Sequence, residues 1–316
     1  MSNNHSEEQN EQQNSRTNHD NIFKNLLKNF FKEYLQFTQP TVYDEIDISH
    51  TETKSENVSL LQTMKGPGLD HTVDLAMETK LKKTGERIVF HIEAQSSRQL
   101  HFPRRMKLYN NLCEEAFDCE VISHAICFNQ DQRSIPDMVV SKNQTSSVAH
   151  SSFKYVKIDL NNYLVKDYLK VTNPFVIASL GLMDGFKNLT QREKADIKLQ
   201  GYINLFSNDF EEDKNKIVAA CLEKYIELEE VELSFFFKRL KNEDNKRKGL
   251  EDWVMNVSKN NAWARMIENK KTKEIIKNII NRYNETDEYV LAETANTTLD
   301  IVREAKYELE LQNRPQ

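Results

Sequence analysis

Two acidic residues in the first half of the chain have a spacing that could place them side by side. Asp74 lies in the segment HTVDLAMETKL, and Glu93 and Gln95 lie in IVFHIEAQSS. Both segments read as β-strands, and the short loop KKTG between them suits a β-hairpin. Two adjacent carboxylates repel each other at neutral pH unless a cation lies between them. Oxygen ligands of this kind favour Mg²⁺ or Mn²⁺, which can polarise a phosphate and activate water.

The register of this hairpin decides whether the two acids meet. A register that places Leu75 opposite Ile92 makes one face consistently apolar and pairs Asp74 with Glu93 on the other. A slip of one residue would pair polar with apolar positions, so the apolar face sets the register. We therefore predict that the two acids lie opposite each other on the uncovered face, with Cβ atoms roughly 4.5–5.5 Å apart. The competing interpretation is a solvated hairpin face whose acids have no functional role.

Other polar residues lie close to this pair in the sequence. Arg104, Arg105 and Lys107 begin a predicted helix over residues 103–117 and could bind DNA phosphates. Arg105 is the preferred candidate because a guanidinium can bind a phosphate through two hydrogen bonds. A solvated helix face is the alternative, and we favour it for Arg104 and Lys107. His91 shares the polar face of its strand, and we interpret it as a partly exposed histidine without a function.

The elements that must position these residues form a mixed α/β pattern. The segment DNIFKNLLKNFFKEYLQF has apolar residues at helical spacing. The predicted elements that follow are short strands near residues 45–48 and 58–63, strands over 72–81 and 87–96, the helix over 103–117, a strand in EVISHAICFN, a polar loop over 129–152 and a strand in FKYVKIDL. Such a sequence of elements is typical of an α/β domain.

The chain then changes character. From about residue 165 the strand pattern is lost and helical patterns continue, one of them opened by Thr190 and Glu193 at the spacing of a capping box. Residues 1–18 are polar almost throughout, and we expect them to be disordered. We therefore predict a disordered tail over 1–18, an α/β domain over 19–172 and a helical region over 173–316.

The composition limits the class of protein. The net charge of −6 argues against broad electrostatic coating of nucleic acid, although a local basic groove remains compatible with it. The four cysteines form no CxxC pair, which argues against a zinc site and favours reduced thiols in the cytoplasm. No run of 18 or more apolar residues is present, so we expect no segment that spans a membrane.

Three stretches together resemble a known group of nucleases. These are HDNIFKNLLKNFFKEYLQF, VDLAMETKLKKTGERIVFHIEAQSS and FPRRMKLYNNLCEEAF. Asp on one strand, Glu-x-Gln on the next and a helix led by Pro and Arg resemble the PD-(D/E)XK nuclease superfamily. More narrowly, the pattern is similar to the Rpn/YhgA-like recombination-promoting nucleases, a transposase-like family. The resemblance covers about residues 19–180.

The resemblance implies a restriction-endonuclease-like core of helix, three mostly antiparallel strands, helix and strand, here followed by an all-helical C-terminal region. It also implies Mg²⁺-dependent cleavage of double-stranded DNA, with Asp74 and Glu93 as metal ligands and Gln95 as the third site residue. Gln95 stands where most of the superfamily has Lys, although Gln is usual in this branch. A homodimer is plausible, because a double-strand cut needs two active sites.

The sequence is also compatible with a second function. The chain could be a catalytically degenerate relative that keeps the fold as a DNA-binding, protein-binding or regulatory module. The acidic net charge and the uncharged Gln95 favour this alternative slightly. Cleavage of plasmid DNA in the presence of a divalent ion distinguishes the two.

Overall fold

The computed structural model describes residues 21–54, 73–95, 101–128, 134–142, 149–208, 210–258, 262–283, 287–295 and 297–312. The chain divides into two compact units, Met1–Glu251 and Asp252–Gln316. This division differs from the predicted boundary after residue 172, which lies within the first unit. The predicted disordered tail and the predicted strand near residues 58–63 lie outside the described residues.

Two helices and a short third one precede the sheet. They are α1 (residues 21–29), α2 (Phe31–Thr38) and α3 (Pro40–Glu45). The helical spacing of their apolar residues predicted this region correctly, and Phe23, Leu26 and Leu27 are fully or almost fully buried. Pro40 begins α3, where its missing N–H costs no hydrogen bond.

The central sheet is mixed and has five strands. In chain order its strands are β1 (Ile46–Thr53), β2 (Leu75–Leu81), β3 (Arg87–Gln95), β4 (Glu120–Cys127) and β7 (Val156–Asp159). Their spatial order is β1-β2-β3-β4-β7. The pairs β1–β2 and β2–β3 are antiparallel, whereas β3–β4 and β4–β7 are parallel. The helix α4 (Phe102–Phe117) connects β3 to β4, as a parallel pair requires a crossover. The predicted α/β class is confirmed.

The β2–β3 hairpin has the register that the apolar pattern predicts. Leu75 lies opposite Ile92, and Ala76 lies opposite His91. The hairpin closes through a hydrogen bond from the N–H of Leu81 to the carbonyl of its partner across the loop, at 2.9 Å. The apolar face therefore does set the alignment of the two strands.

Helices cover both faces of the hairpin. On the apolar face, the rings of Phe31 in α2 and Phe90 in β3 lie 5.3 Å apart. On the other face, α4 packs Tyr109 and Cys113 into one cluster with Ala76 of β2 and neighbouring strand residues. The prediction that this second face is uncovered is therefore wrong. The amphipathic helix that follows β3 returns over it, because the crossover to a parallel strand must run across one face of the sheet.

A small second sheet occupies part of the predicted polar loop. Its antiparallel strands are β5 (Met138–Lys142) and β6 (Ala149–Lys154). The prediction of an irregular loop over residues 129–152 is wrong for these two stretches. Val139 pairs with Phe153 across the two strands, and such β-branched and aromatic pairs stabilise a sheet. This local pairing outweighs the Ser-rich composition.

Helices dominate the rest of the first unit. They are α5 (Pro174–Ser179), α6 (Gln191–Phe206), α7 (Glu212–Tyr225) and α8 (Glu230–Asp244). The next helix, α9 (Leu250–Val257), begins in the last residues of the first unit and continues into the second. Thr190 and Glu193 form the predicted capping box at the start of α6. Among the described residues after β7, strand pairing is limited to one isolated bridge, between Leu164 and Asp184. The predicted change from mixed to helical structure is confirmed there.

The second unit contains α10 (Ala262–Tyr283), α11 (Glu288–Thr294) and α12 (Leu299–Gln312). Its core is a cluster of Ile276, Leu291, Val302 and Ala305. Throughout the described parts of the chain, we find no helix with the length and apolar character needed to cross a bilayer.

Candidate active site

Asp74 and Glu93 are held together at the edge of the hairpin by two reciprocal hydrogen bonds. The backbone N–H of Asp74 donates to Glu93 Oε1 at 2.9 Å. The N–H of Ala94 donates to Asp74 Oδ2 at 3.1 Å. Each carboxylate therefore binds the backbone of the opposite strand, which fixes both side chains in orientation. The structure thus brings together the two acids that the sequence pattern paired.

The two acids differ in exposure, and Asp74 is electrostatically strained. The side chain of Glu93 is 3% exposed and that of Asp74 is 20% exposed. Burial and, to a smaller extent, the neighbouring charge of Glu93 raise the pKa of Asp74 to about 6, although Lys24 opposes the shift. A pKa near 6 means that a cation close to Asp74 would bind an almost fully ionised carboxylate at pH 7.5.

Two basic side chains lie against this acid pair. Lys24 Nζ, from α1, is 2.8 Å from Asp74 Oδ1. Arg105 Nη2, from the first turn of α4, is 3.6 Å from Glu93 Oε2. No pattern in the sequence indicates Lys24, because its contact with Asp74 joins distant parts of the chain.

Gln95 and Arg105 contact each other directly. The Nη2 group of Arg105 donates to Gln95 Oε1 at 2.9 Å. The guanidinium carbon of Arg105 also lies 5.1 Å from the ring centroid of Phe102, a cation–π arrangement. Arg105 is therefore held by an acid, an amide and an aromatic ring. The structure thus places the Arg105 guanidinium against both Glu93 and Gln95.

His91 belongs to the same buried network. Its Nε2 lies 3.3 Å from Glu93 Oε1, and its Nδ1 lies 2.9 Å from Ser123 Oγ. Asn110 of α4 donates to the same Ser123 hydroxyl at 3.2 Å. The prediction that His91 is partly exposed and without a function is wrong about its environment, because α4 covers it completely. The alternation of polar and apolar residues along β3 shows which face of the sheet His91 lies on, but it does not show that α4 covers that face.

Among the contacts of the described residues, none joins Arg104 or Lys107 to Asp74 or Glu93. Arg104 is exposed on α4. Lys107 Nζ donates to Ser151 Oγ in β6 at 2.8 Å, which ties α4 to the small second sheet. Of the three basic residues at the start of α4, Arg105 is the one that the structure places at the acid pair.

The pair fits a hard divalent ion by ligand type. The described residues include no group of three or more His, Cys, Asp or Glu side chains that could hold a metal. Mg²⁺, however, commonly binds through one or two carboxylates and keeps several waters. Asp74 and Glu93 supply two such carboxylates, and their mutual repulsion is the electrostatic condition that a divalent ion relieves.

Comparison of the chain with models of protein families, with curated proteins and with solved structures yields no match in any of the three. The functional interpretation therefore depends on the geometry of the site and on the motifs in the sequence.

Proposed function

We propose that the protein is a metal-dependent endonuclease that hydrolyses phosphodiester bonds in double-stranded DNA, of the Rpn/YhgA-like, recombination-promoting type. The observation that carries the proposal is the contact between Asp74 and Glu93, each bound to the backbone of the other's strand. Gln95 and Arg105 lie beside this pair. These four residues are the acid, Glu-x-Gln and helix positions of the resembled motif.

The arrangement of secondary structure supports the same proposal. Helices α1 and α2 precede three antiparallel strands, and α4 then leads to a fourth strand that is parallel to β3. The resemblance implies this order of elements, and Asp74 immediately precedes β2 while Glu93 lies on β3. The agreement matters because the superfamily resemblance predicts both the order and the position of the acids.

Each residue of the site has a different role in the proposed reaction. Asp74 and Glu93 would hold Mg²⁺ or Mn²⁺, which when bound supplies charge neutralisation at a phosphate and activation of water. Arg105 balances the charge of Glu93 and fixes the side-chain amide of Gln95. Gln95 can then orient a water or a phosphate oxygen by hydrogen bonding. A homodimer would provide the two sites that a double-strand cut needs.

Plasmid cleavage tests the proposal. Supercoiled DNA is incubated with the protein and Mg²⁺, Mn²⁺ or EDTA, and nicked and linear products are quantified. We expect ion-dependent cleavage that falls by roughly 10³-fold in Asp74→Asn and Glu93→Gln, the scale of losing a principal charge-stabilising group. Glu86→Gln, an exposed acid at the same hairpin, is the matched control and should cleave normally. Nicking that persists in both site variants would refute the proposal.

One observation favours a second function, a nuclease-fold module that binds DNA or protein without cutting. Lys24 and Arg105 already supply two positive charges to the two acids, so the site is neutral without a metal. Under this alternative, the protein would bind DNA in a gel-shift assay but leave plasmids intact with every divalent ion.

A further inference from the structure

Lys24 is fixed to the site through the packing of its helix. Phe23, Leu26 and Leu27, its neighbours on α1, are 0–1% exposed, so the backbone at Lys24 is held against the core. The side chain itself is 30% exposed and reaches Asp74 Oδ1 at 2.8 Å. The other oxygen of Asp74 accepts the N–H of Ala94. Oδ1 is therefore the oxygen of Asp74 that Lys24 covers.

Resting on the proposed function, we infer that Lys24 is the cationic positioning residue of the site. Its ammonium orients the carboxylate of Asp74 and competes with a divalent ion for Oδ1. Gln95, the third polar residue of the site, carries no charge and is bound to Arg105. Lys24 brings an ammonium to the acid pair from a different element of the fold.

The two cations of the site differ in how readily they can move. Arg105 is restrained by Glu93, Gln95 and the ring of Phe102. Lys24 has a compact charge on a flexible four-carbon chain, so rotation of that chain can release Asp74 without movement of α1. Lys24 is consequently the cation that yields its place, whereas Arg105 stays with Gln95.

The competition has a measurable consequence for ion binding. An ammonium beside the acid pair repels a divalent ion, so its removal should tighten binding by about tenfold at the effective dielectric constant of a partly buried site. Lys24→Met removes the charge and keeps the length of the side chain. Lys24→Arg keeps the charge, and Lys28→Met removes an exposed lysine of the same helix as the matched control.

Isothermal titration calorimetry of the full chain with Mn²⁺ at pH 7.5, without DNA, measures the affinity for the ion and tests this inference. We expect Lys24→Met to bind Mn²⁺ about tenfold more tightly than wild type, with Lys24→Arg and Lys28→Met unchanged within about twofold. We also expect Lys24→Met to melt at a lower temperature than wild type in EDTA, since the acid pair loses a counter-charge, and to recover more on addition of Mn²⁺. Unchanged or weaker Mn²⁺ binding by Lys24→Met would overturn the inference.

The same variants separate this inference from the proposed function. If wild type cuts DNA and binds Mn²⁺ through Asp74 while Lys24→Met binds the ion no better, the role of Lys24 is refuted and the nuclease stands. If Lys24→Met tightens Mn²⁺ binding but no variant cuts DNA, the competition stands and the nuclease is refuted. Absence of Mn²⁺ binding in both wild type and Lys24→Met contradicts both.

Discussion

Two charge networks among the described residues of the first unit, one around Lys198 and Glu223 and one around Asp74 and Glu93, are built differently. In the helical layer, Lys198 Nζ of α6 lies 2.8 Å from Glu223 Oε2 and 3.1 Å from the carbonyl of Ile226. Tyr202 donates to the other oxygen of Glu223. The side chains of Lys198 and Glu223 are 2% and 9% exposed. At the hairpin edge, by contrast, two acids oppose each other and the pair Lys24–Asp74 is 30% and 20% exposed.

The electrostatics separate the two networks more sharply than burial does. Burial lowers the pKa of Lys198 and raises that of Glu223, and each partner opposes the shift of the other. Burial also raises the pKa of Asp74, but its neighbour Glu93 adds to the shift. In the first network one acid is paired with one buried cation, whereas in the second two acids lie together and each has a partly exposed cation beside it. We interpret the first as structural and the second as functional.

The largest expected effect comes from breaking the buried ion pair between Lys198 and Glu223. Lys198→Met leaves Glu223 buried without its cation, and removal of one partner of a buried pair typically costs about 3–5 kcal/mol. Urea denaturation should show a loss of this size in the free energy of unfolding. Lys246→Met, an exposed lysine of the same layer, is the control and should change stability by less than about 0.5 kcal/mol. Equal effects of the two variants would contradict a structural role for the buried pair.

Removal of a charge from the pair Asp74 and Glu93 should have the opposite effect and increase the stability of the protein. The folded-state pKa of Asp74 is about 6, above its usual value of 3.8, so the folded protein binds the proton more tightly than the unfolded chain. The stability that Asp74 contributes is therefore present below about pH 4 and is lost as the pH rises through 6. Relative to wild type, Asp74→Asn should gain roughly 2–3 kcal/mol between pH 4 and pH 8.

Denaturation curves at several pH values measure this gain, with Glu86→Gln, an exposed acid of the same hairpin, as the control. A difference between Asp74→Asn and wild type that stays constant from pH 4 to pH 8 would show that the carboxyl is not strained.

A smaller effect should follow from loosening the contact between Arg105 and Gln95. Arg105→Lys keeps the charge near Glu93 but loses the planar group that donates to Gln95. We expect the cleavage rate to fall about tenfold, a cost of roughly 1.4 kcal/mol in the transition state. DNA affinity should change by less than about twofold, because the charge remains. A loss of affinity with an unchanged rate would instead make Arg105 a simple phosphate contact.

The smallest effect concerns the exposed basic residues of α4. If Arg104 contacts one phosphate, Arg104→Ala should reduce the slope of log affinity against log salt by about 0.9. Lys107 is engaged with Ser151, so Lys107→Ala should change that slope less. Fluorescence anisotropy with a labelled duplex at several salt concentrations measures both. A larger change in slope for Lys107→Ala than for Arg104→Ala would show that Lys107 releases Ser151 to bind DNA.

The sequence predicted the parts of the site that depend on local alternation. The apolar face that pairs Leu75 with Ile92 was enough to fix the register and to bring Asp74 to Glu93. The Pro- and Arg-led start of α4 was likewise visible, and Arg105 lies where the motif suggested. These features follow from residues that are neighbours in the chain or across one tight hairpin.

The parts that the sequence did not predict depend on packing between distant segments. α4 covers the face of β3 that holds His91, so this side chain is buried and hydrogen-bonded to Ser123. The contact of Lys24 with Asp74 depends on how α1 packs on the sheet, and alternation within either segment carries no information about that. The small sheet of β5 and β6 was missed because its Ser-rich strands resemble a loop in composition.

The pKa of the Asp74 carboxyl, followed by carbon-13 NMR during a pH titration with and without Mg²⁺, tests the central claim most directly. The claim is that two acids side by side can share a divalent ion. It predicts a pKa of about 6 in EDTA, a lower value in Glu93→Gln because a neighbouring charge is removed, and a clear fall in the pKa with Mg²⁺. A pKa near 3.8 that responds neither to Glu93→Gln nor to Mg²⁺ would contradict it.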